Sequence, residues 1–62
     1  MRIRILNHDK YGPFLAAQDK EMYTVGTVHD VLTFYPDTGE ADVGDVHEEI
    51  TFDSSEYEIV GE

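Results

Sequence analysis

Carboxylates are the residues with most chemistry to offer in this chain. It holds 14 Asp and Glu against 4 Lys and Arg. Only Asp9 and Asp19 precede residue 21, so 14 − 2 = 12 acids lie from Glu21 onward. The bases Arg2, Arg4, Lys10 and Lys20 all come before that point, within a net charge of −10 at pH 7. Such density repels nucleic-acid phosphates and anionic membranes and attracts a basic protein surface.

More specific chemistries fail on spacing. Residues 37–48 begin with an acid and end with Glu48, as a 12-residue calcium loop would. Gly39 and Ala41, however, stand where side-chain oxygens are needed, and Asp42 stands where the turn glycine belongs. His8, His29 and His47 share no zinc-site spacing, and there is no Cys for a thiolate site or a disulfide. His47, beside Glu48 and Glu49, reads as an exposed turn residue, and His29 as a partly buried strand residue. Paired carboxylates can serve acid–base catalysis, but an enzyme needs a pocket, and a barrel of this size fills its interior with side chains. With only Ser54 and Ser55 as serines and no glycine-rich phosphate loop, no enzyme, cofactor or metal is expected. Direct nucleic-acid binding is also unexpected, because phosphate binding is driven by cations. No apolar run approaches the roughly 20 residues of a membrane-spanning helix. The amino terminus alternates charge and apolarity where a secretory signal would be continuously apolar. The expectation is a complete, soluble, intracellular protein.

The elements that position these acids are short. Sixty-two residues make one domain, residues 1–62, and a chain so small buries only about 60% of the surface its unfolded form exposes. In residues 1–6, Ile3 and Ile5 alternate with Arg2 and Arg4, the period of a half-buried strand. Asp9-Lys10-Tyr11-Gly12-Pro13 is turn chemistry. Phe14-Leu15-Ala16-Ala17 fits a short strand or one helical turn, with the bulk to cover one end of the core. Residues 24–35 are rich in β-branched and aromatic types. Their alternation breaks at Val31-Leu32 and Phe34-Tyr35, which predicts a bulge near Leu32 that lets Val31 and Phe34 both face inward. Pro36-Asp37-Thr38-Gly39 is a tight turn. Short strands follow at 40–43, with Ala41 and Val43 on one side, and at 49–52, with Ile50 and Phe52 inward. Asp53 and Glu56 have the spacing of a capping box around one helical turn, before a last strand at 57–60. The expected fold is all-β: a small five-stranded barrel with one short helical turn near residues 53–56.

Four stretches in order, Val25-Gly26-Thr27-Val28-His29-Asp30-Val31, Pro36-Asp37-Thr38-Gly39, Ile50-Thr51-Phe52 and Ser55-Glu56-Tyr57-Glu58-Ile59-Val60, carry a resemblance. Over residues 25–60 the chain resembles a group of small phage and prophage proteins with an SH3-like β-barrel. Their motifs are structural, so the resemblance implies a fold and a setting, the cytoplasm of a bacterial host, more than an activity. His29 departs from the aromatic usual at its position, and the segment 7–23 is long for the first connection.

The resulting expectation is a non-enzymatic protein-binding module, a phage or prophage accessory protein docking an acidic face on a basic host or viral protein. Residues alternate on a strand at about 6.6 Å, close to two steps of about 3.4 Å along one DNA strand. Glu40, Asp42, Glu49, Asp53, Glu56 and Glu58 are therefore the expected binding residues, with inhibition by nucleic-acid mimicry as one mode. The alternative is a structural or assembly module binding through apolar and aromatic residues such as Tyr11, Phe14 and Tyr35, with acids serving solubility. Mutual repulsion of so many carboxylates also predicts a stability that rises as pH falls from neutral.

Overall fold

Ile3 and Ile5 are buried completely and Arg2 and Arg4 are exposed, so the first alternating stretch is a strand, β1 (Arg2–Ile5). The computed structural model describes residues 1–61 and adds β2 (Val28–Tyr35), β3 (Glu40–Asp45), β4 (Glu48–Phe52) and β5 (Tyr57–Gly61). All pair antiparallel in one sheet of order β4-β3-β2-β1-β5. This is the small all-β domain expected. The ladders among the described residues leave β4 and β5 as the two edges and do not close a ring.

The sheet turns about β2, which changes partner along its length. Val28, His29 and Asp30 face β1, whereas Val31 to Tyr35 face β3. The register slips between Val31 and Thr33, at the expected bulge. A bulge adds one residue on one strand and bends it. Val31 and Phe34 consequently pair with Val43 and Ala41; Val31 packs against the core as expected, but Phe34 does not. Phe34 lies near the end of the strand and still keeps 37% of its surface. Overall dimensions of 28 × 24 × 20 Å suit a sheet curled over its own side chains.

Inside lie Ile3, Ile5, Tyr23, Ala41, Val43, Phe52 and Tyr57, with Leu15, Val31 and Ile50 packed against them. The Tyr57 hydroxyl donates to the Gly39 carbonyl at 2.5 Å, which ties β5 to the β2–β3 turn. Gly39 adopts φ +78° there, the left-handed region that glycine enters without strain.

Two expectations need correction. Phe14 does not cover the core; it is 85% exposed. Pro13 sits in a 3₁₀ turn, Gly12–Phe14, and the chain leaves it with Leu15 packed against the core. The strand expected from residue 24 starts only at Val28, because the Thr27 amide and hydroxyl both donate to the Thr24 carbonyl and make a turn. One element was unassigned in the sequence: a six-residue helix, α1 (Ala17–Met22), inside the first connection. The expected turn at 53–56 is present as a 3₁₀ helix, Ser54–Glu56, with Asp53 and Glu56 forming the capping box.

Candidate functional site

The carboxylates divide by what surrounds them. Glu56 is fully buried. One oxygen accepts the Asp53 amide at 3.0 Å, and the other accepts the amides of Lys10 at 3.2 Å and Tyr11 at 3.1 Å. A short strand-to-strand turn thereby clamps the long first connection. Asp42 is also buried and accepts the hydroxyls of Tyr35 at 2.8 Å and Thr51 at 2.6 Å across three strands. That bond raises the Tyr35 phenol above its ordinary pKa. Asp53 accepts the Ser55 hydroxyl at 2.7 Å and amide at 3.1 Å and lies 3.2 Å from Lys10 Nζ; the Ser55 bonds come first among the causes that hold its carboxyl low. Glu58 pairs with Arg4 at 2.5 Å.

Of the six expected binding residues, Asp42 and Glu56 are thus enclosed, and Asp53 and Glu58 are paired. Glu40 stays half-exposed and accepts hydroxyls from Tyr11 and Thr38. The Tyr11 bond to Glu40 is the main reason the Tyr11 phenol is pushed up to about 12. Glu49 lies exposed on edge strand β4. The even rows of negative charge expected along the strands are broken at Asp42.

Another set of acids gathers where α1 meets the β3–β4 turn. Asp19, Asp30, Asp45 and Glu48 line a cleft of about 410 Å³ with Tyr23 and Gly44. An adjoining groove of about 530 Å³ takes Glu40 and Glu49 together with Tyr11, Phe14 and Asp19. The expectation of no concavity is therefore corrected: the interior is filled, but the first connection folds against the sheet and leaves hollows beside it. Gly44, paired with Glu49 in the ladder just before the β3–β4 turn, has φ +104°. A Cβ there would stand 2.6 Å from the Glu48 carbonyl oxygen and 3.0 Å from the Tyr23 hydroxyl.

The histidines take structural places. His8 Nε2 meets the Tyr23 carbonyl at 2.6 Å, and its ring stacks on Phe52. His29 lies half-buried against Tyr23, ring centroids 4.5 Å apart, and burial lowers its pKa. His47 is exposed in the β3–β4 turn, its amide donating to Asp45 at 2.7 Å. Among the described residues no three His, Asp or Glu converge to hold a metal ion, and no helix is long and apolar enough to cross a membrane.

Fold and site together define a small all-β domain with an acidic cleft beside its first connection. The chain matches no protein-family model, no curated protein and no solved structure.

Proposed function

We propose that this domain is a non-enzymatic protein-binding module that docks its acidic concavities on a basic surface of another protein. One observation carries the reading. Asp19, Asp30, Glu40, Asp45, Glu48 and Glu49 line the two hollows, and none belongs to either of the two ion pairs among the described residues. Arg4 and Lys10 are engaged with Glu58 and Asp53, away from the cleft lining. A surface so uncompensated steers a cationic partner and speeds its association. Nucleic-acid mimicry is one form of this docking, now centred on the cleft acids instead of rows along the strands. A phage or prophage accessory role in a bacterial cytoplasm rests on the resemblance over residues 25–60.

The test uses immobilised protein and bacterial lysate. Basic proteins should be retained at low salt and displaced at about 0.5 M, where exposed charges are screened within several ångströms. They should be lost from the variant Asp30→Asn/Glu48→Gln/Glu49→Gln, and duplex DNA should compete for them. Retention by that variant would contradict the proposal. The exposed Phe14 side chain favours a second reading, an assembly module binding through Tyr11, Phe14 and Tyr35. That reading predicts salt-resistant binding abolished by Phe14→Ser.

A further inference from the structure

The Tyr23 hydroxyl stands apart from the other tyrosine hydroxyls. Tyr11 donates to Glu40, Tyr35 to Asp42 and Tyr57 to the Gly39 carbonyl. Tyr23 is only 6% exposed, its ring held against His29 and Phe52 with centroids 4.5 and 6.0 Å away. Its hydroxyl makes no side-chain hydrogen bond among the described residues and is left open to the cleft. Here it reaches the cleft wall beside Gly44, where the missing side chain leaves it uncovered. Asp19, Asp45 and Glu48 line the same cleft as Tyr23, and burial first, then their charges, raise its pKa.

We propose that this cleft receives one arginine side chain of the basic partner, with the guanidinium bridging Asp45, Glu48 and the Tyr23 hydroxyl. The inference rests on the docking function proposed above and names its specificity pocket. No ion pair among the described residues engages a cleft acid, Arg2 stands beside Asp30 without pairing with it, and burial favours the neutral form of His29. A metal ion is disfavoured because no three ligands converge. A planar guanidinium carries five donors in a fork that spans spaced oxygens, whereas an ammonium is a compact point charge. Met22 and Ile50, on the same lining, offer apolar surface for the aliphatic stem.

Capped Gly-Arg-Gly and Gly-Lys-Gly peptides provide the probes, read by amide chemical shifts in nuclear magnetic resonance. The arginine peptide should give saturable shifts at Tyr23, Asp30, Gly44 and Asp45 and bind at least about threefold more tightly than the lysine peptide. Tyr23→Phe keeps the ring and removes the hydroxyl; it should weaken the arginine peptide about tenfold, as loss of a hydrogen bond to a charged group does. Shifts spread equally to Asp37 and Glu58, or unchanged affinity in folded Tyr23→Phe, would overturn the pocket. If Tyr23→Phe does not fold, Asp30→Asn/Glu48→Gln decides: loss of the arginine preference supports the pocket, and retention overturns it. A short poly-lysine separates the two proposals. Salt-sensitive binding of poly-lysine without arginine preference sinks the pocket alone, and no binding of either probe sinks both.

Discussion

At one edge of the sheet carboxylates are consumed by the fold, and at the other they are left over. Around β5 and the turn before it, Glu56 holds three backbone amides, Asp53 caps its turn and meets Lys10, and Glu58 meets Arg4. Around β4 and α1 and on the neighbouring stretch of β2, Asp19, Asp30, Asp45, Glu48 and Glu49 belong to no ion pair among the described residues. The same residue types serve opposite ends, because a buried carboxylate surrounded by amide donors organises chain, while an exposed one without a cation projects a field. Charge count alone does not distinguish them. Their neighbours do.

The largest expected effects lie on the structural side. Glu56→Ala leaves the amides of Asp53, Lys10 and Tyr11 without their acceptor. At about 1–3 kcal/mol for each unsatisfied buried group, the loss should reach at least about 3 kcal/mol in urea unfolding. Phe52→Ala, at a fully buried position, should cost about 3–5 kcal/mol. Either approaches the whole stability of a domain this small. A folded Glu56→Ala protein with unchanged urea midpoint would break the contrast between the two edges.

Alkaline pH should come next. Tyr11, Tyr23, Tyr35 and Tyr57 all have raised pKa values, Tyr11 at about 12 against an ordinary 10.0. The folded state therefore holds protons that the unfolded chain releases. Stability contributed by these groups is full below pH 10 and is lost as pH rises toward 12. Phenolate absorbance should appear together with unfolding; ionisation of all four near pH 10 in folded protein would contradict the burial of Tyr23 and Tyr57 and the carboxylate bonds of Tyr11 and Tyr35.

On the acid side two groups oppose the expected gain in stability from repulsion relieved at low pH. His29 lies below its ordinary 6.5 because burial outweighs the pull of Asp30, so the unfolded chain takes up its proton first. Its contribution is present above pH 6.5 and declines as pH falls through the folded value. Asp53, held below its ordinary 3.8, loses its contribution at still lower pH. The melting temperature should fall modestly from pH 7 to 5, and His29→Gln should flatten that slope. A melting temperature that rises would restore the repulsion account.

The smallest effects belong to the cleft side. Glu48→Gln and Glu49→Gln remove exposed charges with no ion-pair partner, and each should change stability by no more than about 0.5 kcal/mol. A larger loss in thermal unfolding would mean that these acids, too, hold the fold.

How much of this could be read from sequence follows from range. Ile3 with Ile5, Ala41 with Val43 and Ile50 with Phe52 are period-two pairs, and each marks a strand. The capping box at Asp53 and Glu56 and the bulge at Leu32 are equally local and equally legible. Helix α1 is not, because its N-cap, Ala16, offers no side-chain cap and it runs only six residues. Phe14 misleads because bulk does not decide which residue of a turn faces inward. The cleft unites positions 19, 30, 45 and 48 from four parts of the chain, and no spacing rule relates them. Glu56 was legible as a cap, but its hold on Lys10 and Tyr11 crosses 46 and 45 residues.

The central claim is that position, not total charge, makes the cleft acids functional. Two variants with the same net charge test it: Asp30→Asn/Glu48→Gln/Glu49→Gln and Asp9→Asn/Asp37→Asn/Glu58→Gln each change −10 by three, to −7. Their affinities for a short poly-lysine are compared with that of the unaltered protein by titration calorimetry at low salt. The account predicts about tenfold weaker binding, about 1.4 kcal/mol, for the first variant and less than about threefold for the second. Equal weakening of the two would show that bulk charge alone attracts the partner and would contradict the claim.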